Sequence, residues 1–535
     1  MSKHNGKDQA RQARARAKGV RRTKRVKREA SSELRRNQAG LAKQLMAGEV
    51  PLVMATAWGF VEGLLDFLTV LGFWEVLDID GRGFKRKMVS VCQLLATYEL
   101  KVLLGIVSMN QVEVKLFREV ALLRLIGYST QQLSGGICKR GYGDHKPMHS
   151  STLANAIARL NEGELDQLLQ GTVQRLVKRH LLVRSHGRYA LDGSDLPTSA
   201  KFKGAGRRTT TERRRSKAGE WVEVLKTVHG FKLLIVYEVK VRLVVAAKLV
   251  KIQDHEALYT LELVKQAQRH LGPDYPIKVL LADRGFLDGQ TLWTLKQEWG
   301  IDWVVPVRTN MDIANDARQL ATQPPDAVYI SAASRTANGP KGRGQVSLRE
   351  VFDLTTFNTY GDAAHQLTLN QTDFKPNPVN ALVVTHWRAK PYPLKDQPVF
   401  ATSLDVSKPL HVLDLYDLRS LIENTAFREL KQGWHLTAFP KRTLPAARAH
   451  VFLTLILFSL VNAFGAQRGK ALAQNGIRRQ RLADFQSLLV MVIDEQRESF
   501  AFFQLEELLI LLGHPPNLCL FSDPHEVRQR YGLAV

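Results

Sequence analysis

The sequence predicts a multi-domain α/β protein, with a mixed-sheet core, a β-rich insertion within it and helical regions at both ends. Three observations predict it. The chain has 535 residues, several times the size of one domain. Up to about residue 182 apolar residues recur at three- and four-residue spacing, and beyond it long β-branched runs take over. Those runs then alternate with helical stretches, the pattern of an α/β unit. Hydrophobic content of 44% and charged content of 24% exclude disorder throughout.

Charge gives the first functional signal. Lys plus Arg number 76 against 51 for Asp plus Glu, a formal +25, which calls for a polyanionic partner, nucleic acid first and an acidic membrane second. Residues 1–45 read as a basic disordered arm. Fifteen Lys or Arg from Lys3 to Lys43 oppose only Asp8, Glu29 and Glu33, and such a stretch orders on a phosphate backbone rather than on a core. The basic N-terminus is followed by no apolar stretch, so no signal peptide is expected. Val451–Ala463 is too short to span a membrane and reads as a buried helix, so no membrane partner is expected. Cys92, Cys138 and Cys519 are far apart, which excludes a disulfide framework or structural zinc and fits a reducing cytoplasm.

Residues 46–182 read as a helical, DNA-binding domain. Glu119–Ile126 and a later helix, TLANAIARL, capped by Ser150 or Ser151, form a candidate helix-turn-helix; the alternative is a plain helical core. The linker between them carries His145 and His149, read as phosphate or water contacts. Residues 183–308 form the first part of the core. Three strands around RYALDGSD, FKLLIVYEVK and VRLVVAAKLVKI precede a helix–strand–helix–strand run ending at IDWVVPVR. Residues 309–398 are the β-rich insertion, residues 399–465 return to the core, and 466–535 read as a helical assembly region containing FQLEELLILLGH. Trp293, Trp299 and Trp303 read as core.

Three carboxylates sit where chemistry favours them. Asp192 ends an apolar strand, with Gly193 allowing a turn; Asp195 competes with it but lies in that turn. Asp283 ends a buried strand, followed by Arg284 and Gly285. Ligands collect at the carboxyl ends of such strands. Glu423 shares a helix face with Tyr416 and Arg419, at i, i+3 and i+7. Three hard oxygen donors suit Mg2+, and two such ions serve phosphoryl transfer.

This combination resembles the DDE transposases of bacterial insertion sequences, in particular the insertion-sequence-four family. The resemblance rests on LDGSDLPT around Asp192, LADRGF around Asp283 and the Tyr416, Arg419, Glu423 spacing within YDLRSLIENTAFRELKQGW, and covers about residues 185–465. It implies an RNase H-like core that cuts DNA at transposon ends and joins the freed 3′-hydroxyl to target DNA. Asp192, Asp283 and Glu423 would then be catalytic and hold two Mg2+ ions, with Mn2+ able to substitute. Double-stranded DNA is the implied partner, bound by a homodimer or higher multimer in the bacterial cytoplasm, at the nucleoid. Rival readings are an RNase H-like nuclease without strand transfer and a non-catalytic DNA-binding descendant.

One residue departs from the pattern. The family's Lys would fall on Leu430, one step before Lys431. A helix irregularity between Asn424 and Lys431 would bring Lys431 into place, since one residue turns an α-helix by roughly 100°; Arg428 is the substitute. Arg284 joins these as a DNA contact. A second basic cluster, Lys201, Lys203, Arg207, Arg208, Arg213, Arg214, Arg215 and Lys217, opposes only Glu212 and reads as a mobile loop gripping the DNA backbone. Lys226, His229 and Lys232 read as an extension of that surface, with a structural contact as the alternative for His229. Trp387, beside His386 and Arg388, reads as a stacking platform for an extruded base.

Overall fold

The computed structural model describes residues 35–49, 52–56, 58, 60–79, 89–129, 132–133, 147–182, 185–215, 219–321, 328–330, 345–368, 377–387, 390–467, 489–494, 496–514 and 523–533. The chain divides into two units, Met1–Asn161 with Lys470–Val535, and Glu162–Gly469.

The first unit opens with a correction. Strand β1 (Arg35–Arg36) and helix α1 (Gln38–Met46) lie inside the stretch expected to be a disordered arm. The Asn37 side chain caps α1 by accepting the Gly40 N–H at 3.0 Å, and Leu41, Ala42 and Leu45 bury one face of it. Residues 1–34, where most of the arm's charge sits, lie outside the described residues. Strand β2 (Leu52–Thr56) also departs from the helical expectation. Helices α2 (Phe60–Leu71), α3 (Val91–Leu103), α4 (Val120–Leu125) and α5 (Ser150–Ile157) follow. α3 starts in a capping box between Ser90 and Gln93. Helices α4 and α5 occupy the two expected positions, but His149 caps α5, its Nδ1 accepting the Ser151 N–H at 3.1 Å. Glu113 accepts the Ser150 N–H at 2.9 Å, so neither serine is the cap. Residues 134–146 of the linker, His145 among them, lie outside the described residues.

The second unit is built on one eleven-stranded mixed sheet. Its elements are α6 (Glu162–Lys178), β3 (Arg188–Thr198), β4 (Gly206–Arg215), β5 (Trp221–Glu238), β6 (Leu243–Lys251), α7 (Thr260–Leu271), β7 (Val279–Ala282), α8 (Gly289–Gln297), β8 (Asp302–Pro306) and α9 (Asp312–Leu320). The insertion adds β9 (Val328–Ile330), β10 (Gln345–Leu354), β11 (Val379–Trp387) and β12 (Lys390–Pro391), and β13 (Val399–Thr402), α10 (Pro409–Asp417) and α11 (Leu444–Gln467) complete the unit. The strand order is β4-β5-β3-β7-β8-β13-β11-β10-β9, with β6 beside β5 and β12 beside β11. Strands β3, β7 and β8 are parallel, and β13 joins them antiparallel to β8. Because β11 pairs with β13, the insertion's strands lengthen the core sheet.

Helices α6, α7 and α11 cover β6. α11 is long and apolar enough to cross a membrane, yet every residue from Val451 to Leu460 is buried. Ser459 Oγ accepts the Val244 N–H at 3.0 Å and Asn462 donates to the Arg242 carbonyl at 3.1 Å, which pins α11 to the sheet. His270 of α7, fully buried, lies 2.8 Å from the Val245 carbonyl and 3.0 Å from Asp166 of α6. Trp303 is buried against Tyr360, with ring centroids 5.6 Å apart, whereas Trp293 and Trp299 are only half-buried.

The C-terminal segment returns to the first unit, and here the all-helical expectation fails. Strands β14 (Leu489–Asp494) and β15 (Ser499–Gln504) form a hairpin that joins β1 and β2 in a four-stranded sheet ordered β1-β15-β14-β2. Val490, Val492, Ala501 and Phe503 pack on α1, while Met491, Ile493 and Phe502 pack on Ala121 of α4. Both faces are apolar, which erases the alternation that would mark a strand. Helices α12 (Leu505–Leu511) and α13 (Pro524–Arg530) follow. Leu508, Ile510 and Leu511, expected on an assembly surface, are buried within this unit.

Candidate metal centre

Asp192 and Asp283 meet because their strands are parallel neighbours. The β3–β7 ladder runs from Arg188↔Val279 to Leu191↔Ala282, so the two aspartates are the first pair beyond its last rung. β7 stops there and turns into the short helix Arg284–Phe286. β3 does not stop: it runs on against β5 to Thr198↔His229, which corrects the expected turn at Gly193. Gly193 instead lets two side chains pack close, since a Cβ there would meet Leu234 Cδ2 at 2.9 Å and the Glu256 carboxylate carbon at 3.2 Å and push them aside.

The third carboxylate comes from the irregular helix. Ile422–Phe427 is a π-helix, continued by the α-helical Arg428–Gln432. The irregularity that the one-residue offset demands is present, beginning slightly earlier than Asn424. Carboxylate oxygens of Asp192, Asp283 and Glu423 lie within 4.8 Å of one another. Asp192 is buried, Asp283 intermediate and Glu423 exposed, so the cluster opens to solvent on one side. All three donors are hard oxygens, the set that a magnesium-like cation prefers.

Arg419 closes the other side. Its Nη1 donates to Asp192 Oδ2 at 2.8 Å and to Glu423 Oε1 at 3.2 Å, and its side chain is only 11% exposed. The guanidinium lies 5.6 Å from the centre of the Tyr416 ring, and that ring packs on Phe400 at 4.7 Å. Burial pushes the Asp192 carboxyl up to about 7; Arg419 and the Gly193 N–H, donating at 2.7 Å, oppose the shift, while Glu423 and Asp283 add to it. Burial likewise pushes the Tyr416 hydroxyl up to about 12. Burial pulls Arg419 down, but Tyr416 and the three carboxylates outweigh it and hold the guanidinium above its ordinary value.

The remaining candidates divide. Asp195 stays out of the cluster and pairs with Arg208. Lys431 is half-buried, which lowers its pKa, and the Asp195 charge opposes that shift. Leu430, at the family's Lys position, is fully buried. Arg428 is exposed and reaches Gln432 at 3.4 Å; Arg284 is exposed. Lys201 and Lys203 are exposed, and the Lys203 backbone bonds to Arg442 and Leu444. Arg207, Arg208, Arg213, Arg214 and Arg215 form β4, which corrects the expected mobile loop; Lys217 lies outside the described residues. Trp387 ends β11, with its backbone opposite Val346 and Lys390, and its side chain lies outside what is described.

Sequence reasoning misses Glu256, because the residues around it carry no signal for it. Its Oε1 pairs with Lys232 Nζ at 2.8 Å, and Lys232, 7% exposed, also donates to the Asp254 carbonyl at 3.1 Å. The Glu256 carboxylate fills the space where Gly193 and Gly285 lack side chains: a Cβ on Gly285 would lie 2.4 Å from Oε2, and one on Gly193 3.2 Å from Cδ. A partly buried ion pair thus packs against both aspartate-bearing segments.

A mixed sheet with two strand-borne aspartates and a helix-borne glutamate converging on one open cleft defines an α/β protein with a candidate divalent-metal centre. Residues 184–460 match the family described as the transposase DDE domain, and the chain belongs to that family, one of DNA-cleaving enzymes that use divalent metals. No curated protein matches the chain. Among solved structures, a cryo-EM structure of the piggyBac transposase synaptic complex with hairpin DNA is similar at 11% identity and a TM-score of 0.35, over 88% of this chain and 85% of that one. That likeness is too distant to bear on mechanism.

Proposed function

We propose that the chain is a cut-and-paste transposase of the insertion-sequence-four type, which cleaves DNA at transposon ends and joins the freed 3′-hydroxyl to target DNA. The convergence of Asp192, Asp283 and Glu423 within 4.8 Å supports this reading more than any other observation. These residues would hold Mg2+, or Mn2+ in its place; when bound, such ions activate the attacking oxygen and stabilise the leaving one. Asp192 fits the role because Arg419 opposes its neutralisation. Arg419 has further donors with which to hold a phosphate, as a planar guanidinium does well. Tyr416 stacks against that guanidinium and fixes its plane. Arg284 and Lys431, with Arg428 as the alternative to Lys431, would contact the DNA near the cleft, and Lys201, Lys203 and the β4 arginines its backbone further out.

The α4–α5 pair and the N-terminal arm would bind the transposon end, and the protein would assemble as a dimer or larger multimer at the bacterial nucleoid. A strand-transfer assay tests the reading, using a pre-cut duplex that carries the DNA end flanking the coding sequence. Joined product supports a transposase. Cleavage of uncut DNA without any joining would instead mean a nuclease that hydrolyses only.

A further inference from the structure

Strands β4 and β5 leave the body of the sheet together. β3 pairs with β5 no further than Thr198↔His229, and β6 no further than Phe231↔Lys251. Beyond those rungs β5 has, among the described residues, only β4 as a partner, from Gly206↔Gly230 to Arg215↔Trp221. Every residue from Trp221 to Thr227 is exposed. A two-stranded ribbon of this kind buries no core and gains little stability alone.

Its side chains are nevertheless far from neutral filler. Cross-strand partners share a face, so Arg207, Thr211, Arg213, Arg215, Trp221 and Leu225 stand on the same side. Trp221 is 67% and Leu225 75% exposed. Arg215 lies over the Trp221 ring with its guanidinium 5.6 Å from the ring centre, a cation–π contact at the outer end. Arg207, Arg208, Arg213, Arg214, Arg215 and Lys226 line the ribbon, where Glu212 pairs with Arg214 and Lys226, Glu223 with Arg213, and Asp195 with Arg208, so cations outnumber the acids that meet them. A basic ribbon with an aromatic tip complements a polyanion that also offers flat apolar surfaces.

Length adds a measure of reach. Ile235 of β5 sits opposite Asp192, and Trp221 lies fourteen residues further along the strand. At about 3.3 Å per residue the tip stands up to about 45 Å from the carboxylates. That span equals about 13 base pairs of duplex, taking a rise of about 3.4 Å each. The major groove, about 12 Å wide, admits a two-stranded ribbon.

We propose that the β4–β5 ribbon is a groove-binding arm for double-stranded DNA, gripping the duplex about one helical turn from the carboxylates, with Trp221 wedged against base edges at its tip. It rests on the reading of the cleft as a DNA-processing site, and gives the aromatic contact to Trp221 instead of Trp387. Binding to a mixed-sequence duplex of about 40 base pairs, measured with the full chain across a range of salt, tests it.

Trp221→Ala is expected to weaken binding roughly tenfold at every salt concentration, with Trp221→Phe restoring most of the loss. Arg207→Ala with Arg215→Ala is expected to flatten the slope of log affinity against log salt by about 2. Unchanged affinity and slope in both variants would overturn the proposal. So would a change of oligomeric state with unchanged slope, which would make the ribbon a contact between copies. Failure of the catalytic reading stays separate: wild-type protein that cuts no DNA in Mg2+, while the ribbon variants still bind more weakly, would leave the arm standing and remove the cleft's assignment.

Discussion

Arg419 Nη1 donates to Asp192 Oδ2 across 2.8 Å, linking the turn after α10 to strand β3 of the sheet. The bond sets a cation against a carboxyl that burial alone would keep protonated at neutral pH. Arg419→Ala should therefore raise the Asp192 pKa further and reduce Mg2+-dependent strand cleavage on the order of 100-fold, as removal of one charge-stabilising donor does elsewhere. Arg419→Lys should recover only part of the rate, because a point charge cannot reach Asp192, Glu423 and a phosphate together. Steady-state cleavage of both variants checks this, and equal rates for lysine and arginine would remove the geometric role.

Gly285 borders the Glu256 carboxylate so closely that any side chain there must displace it. Gly285→Ala should lower cleavage roughly tenfold by shifting the segment that carries Asp283. Combining it with Glu256→Ala removes the clash, so the double variant should be less impaired than the two single losses multiplied. A double-mutant cycle on cleavage rate measures that coupling.

Lys431 and Arg428 are rivals for one role. Lys431 is half-buried and feels the charge of Asp195, on the strand that carries Asp192, whereas Arg428 is exposed. Lys431→Ala should weaken both DNA binding and cleavage several-fold, and Arg428→Ala should change them by less than about twofold, as surface substitutions usually do. The reverse ranking would hand the role to Arg428.

Much of the centre is legible in the sequence because its residues follow local rules. Asp192 and Asp283 stand at the ends of apolar runs, and the Leu430 offset by itself calls for the π-helix. What escapes depends on partners distant in sequence. β14 and β15 are apolar on both faces because α1 covers one and α4 the other, so their sequences imitate a buried helix. In β4 the β-branched Thr209–Thr211 run is legible as strand, but the surrounding arginines make it read as loop. Glu256 has meaning only where two glycines leave room for it.

Lys101, 1% exposed in α3, gives a pH prediction for the first unit. Burial pulls its ammonium down to about 8. The unfolded chain keeps that proton up to about pH 10.4, so the folded state is penalised fully below about pH 8 and recovers stability as pH rises from there to about 10.4. The penalty is about 3 kcal/mol at neutral pH, since each tenfold change in proton affinity is worth about 1.4 kcal/mol. Lys101→Met should raise the melting temperature at pH 7 by roughly 6–12 °C, and the gain should shrink by about pH 10. A gain independent of pH would mean that the ammonium is not the source.

The central claim is that Asp192, Asp283 and Glu423 act as one metal-dependent site, and the most direct measurement is DNA cleavage by single variants of each. In Mg2+, with a duplex spanning the DNA end that flanks the coding sequence, Asp192→Asn, Asp283→Asn and Glu423→Gln should each lose at least about 1,000-fold in rate, while binding that duplex as tightly as the wild type. Full cleavage activity in Glu423→Gln would contradict the account.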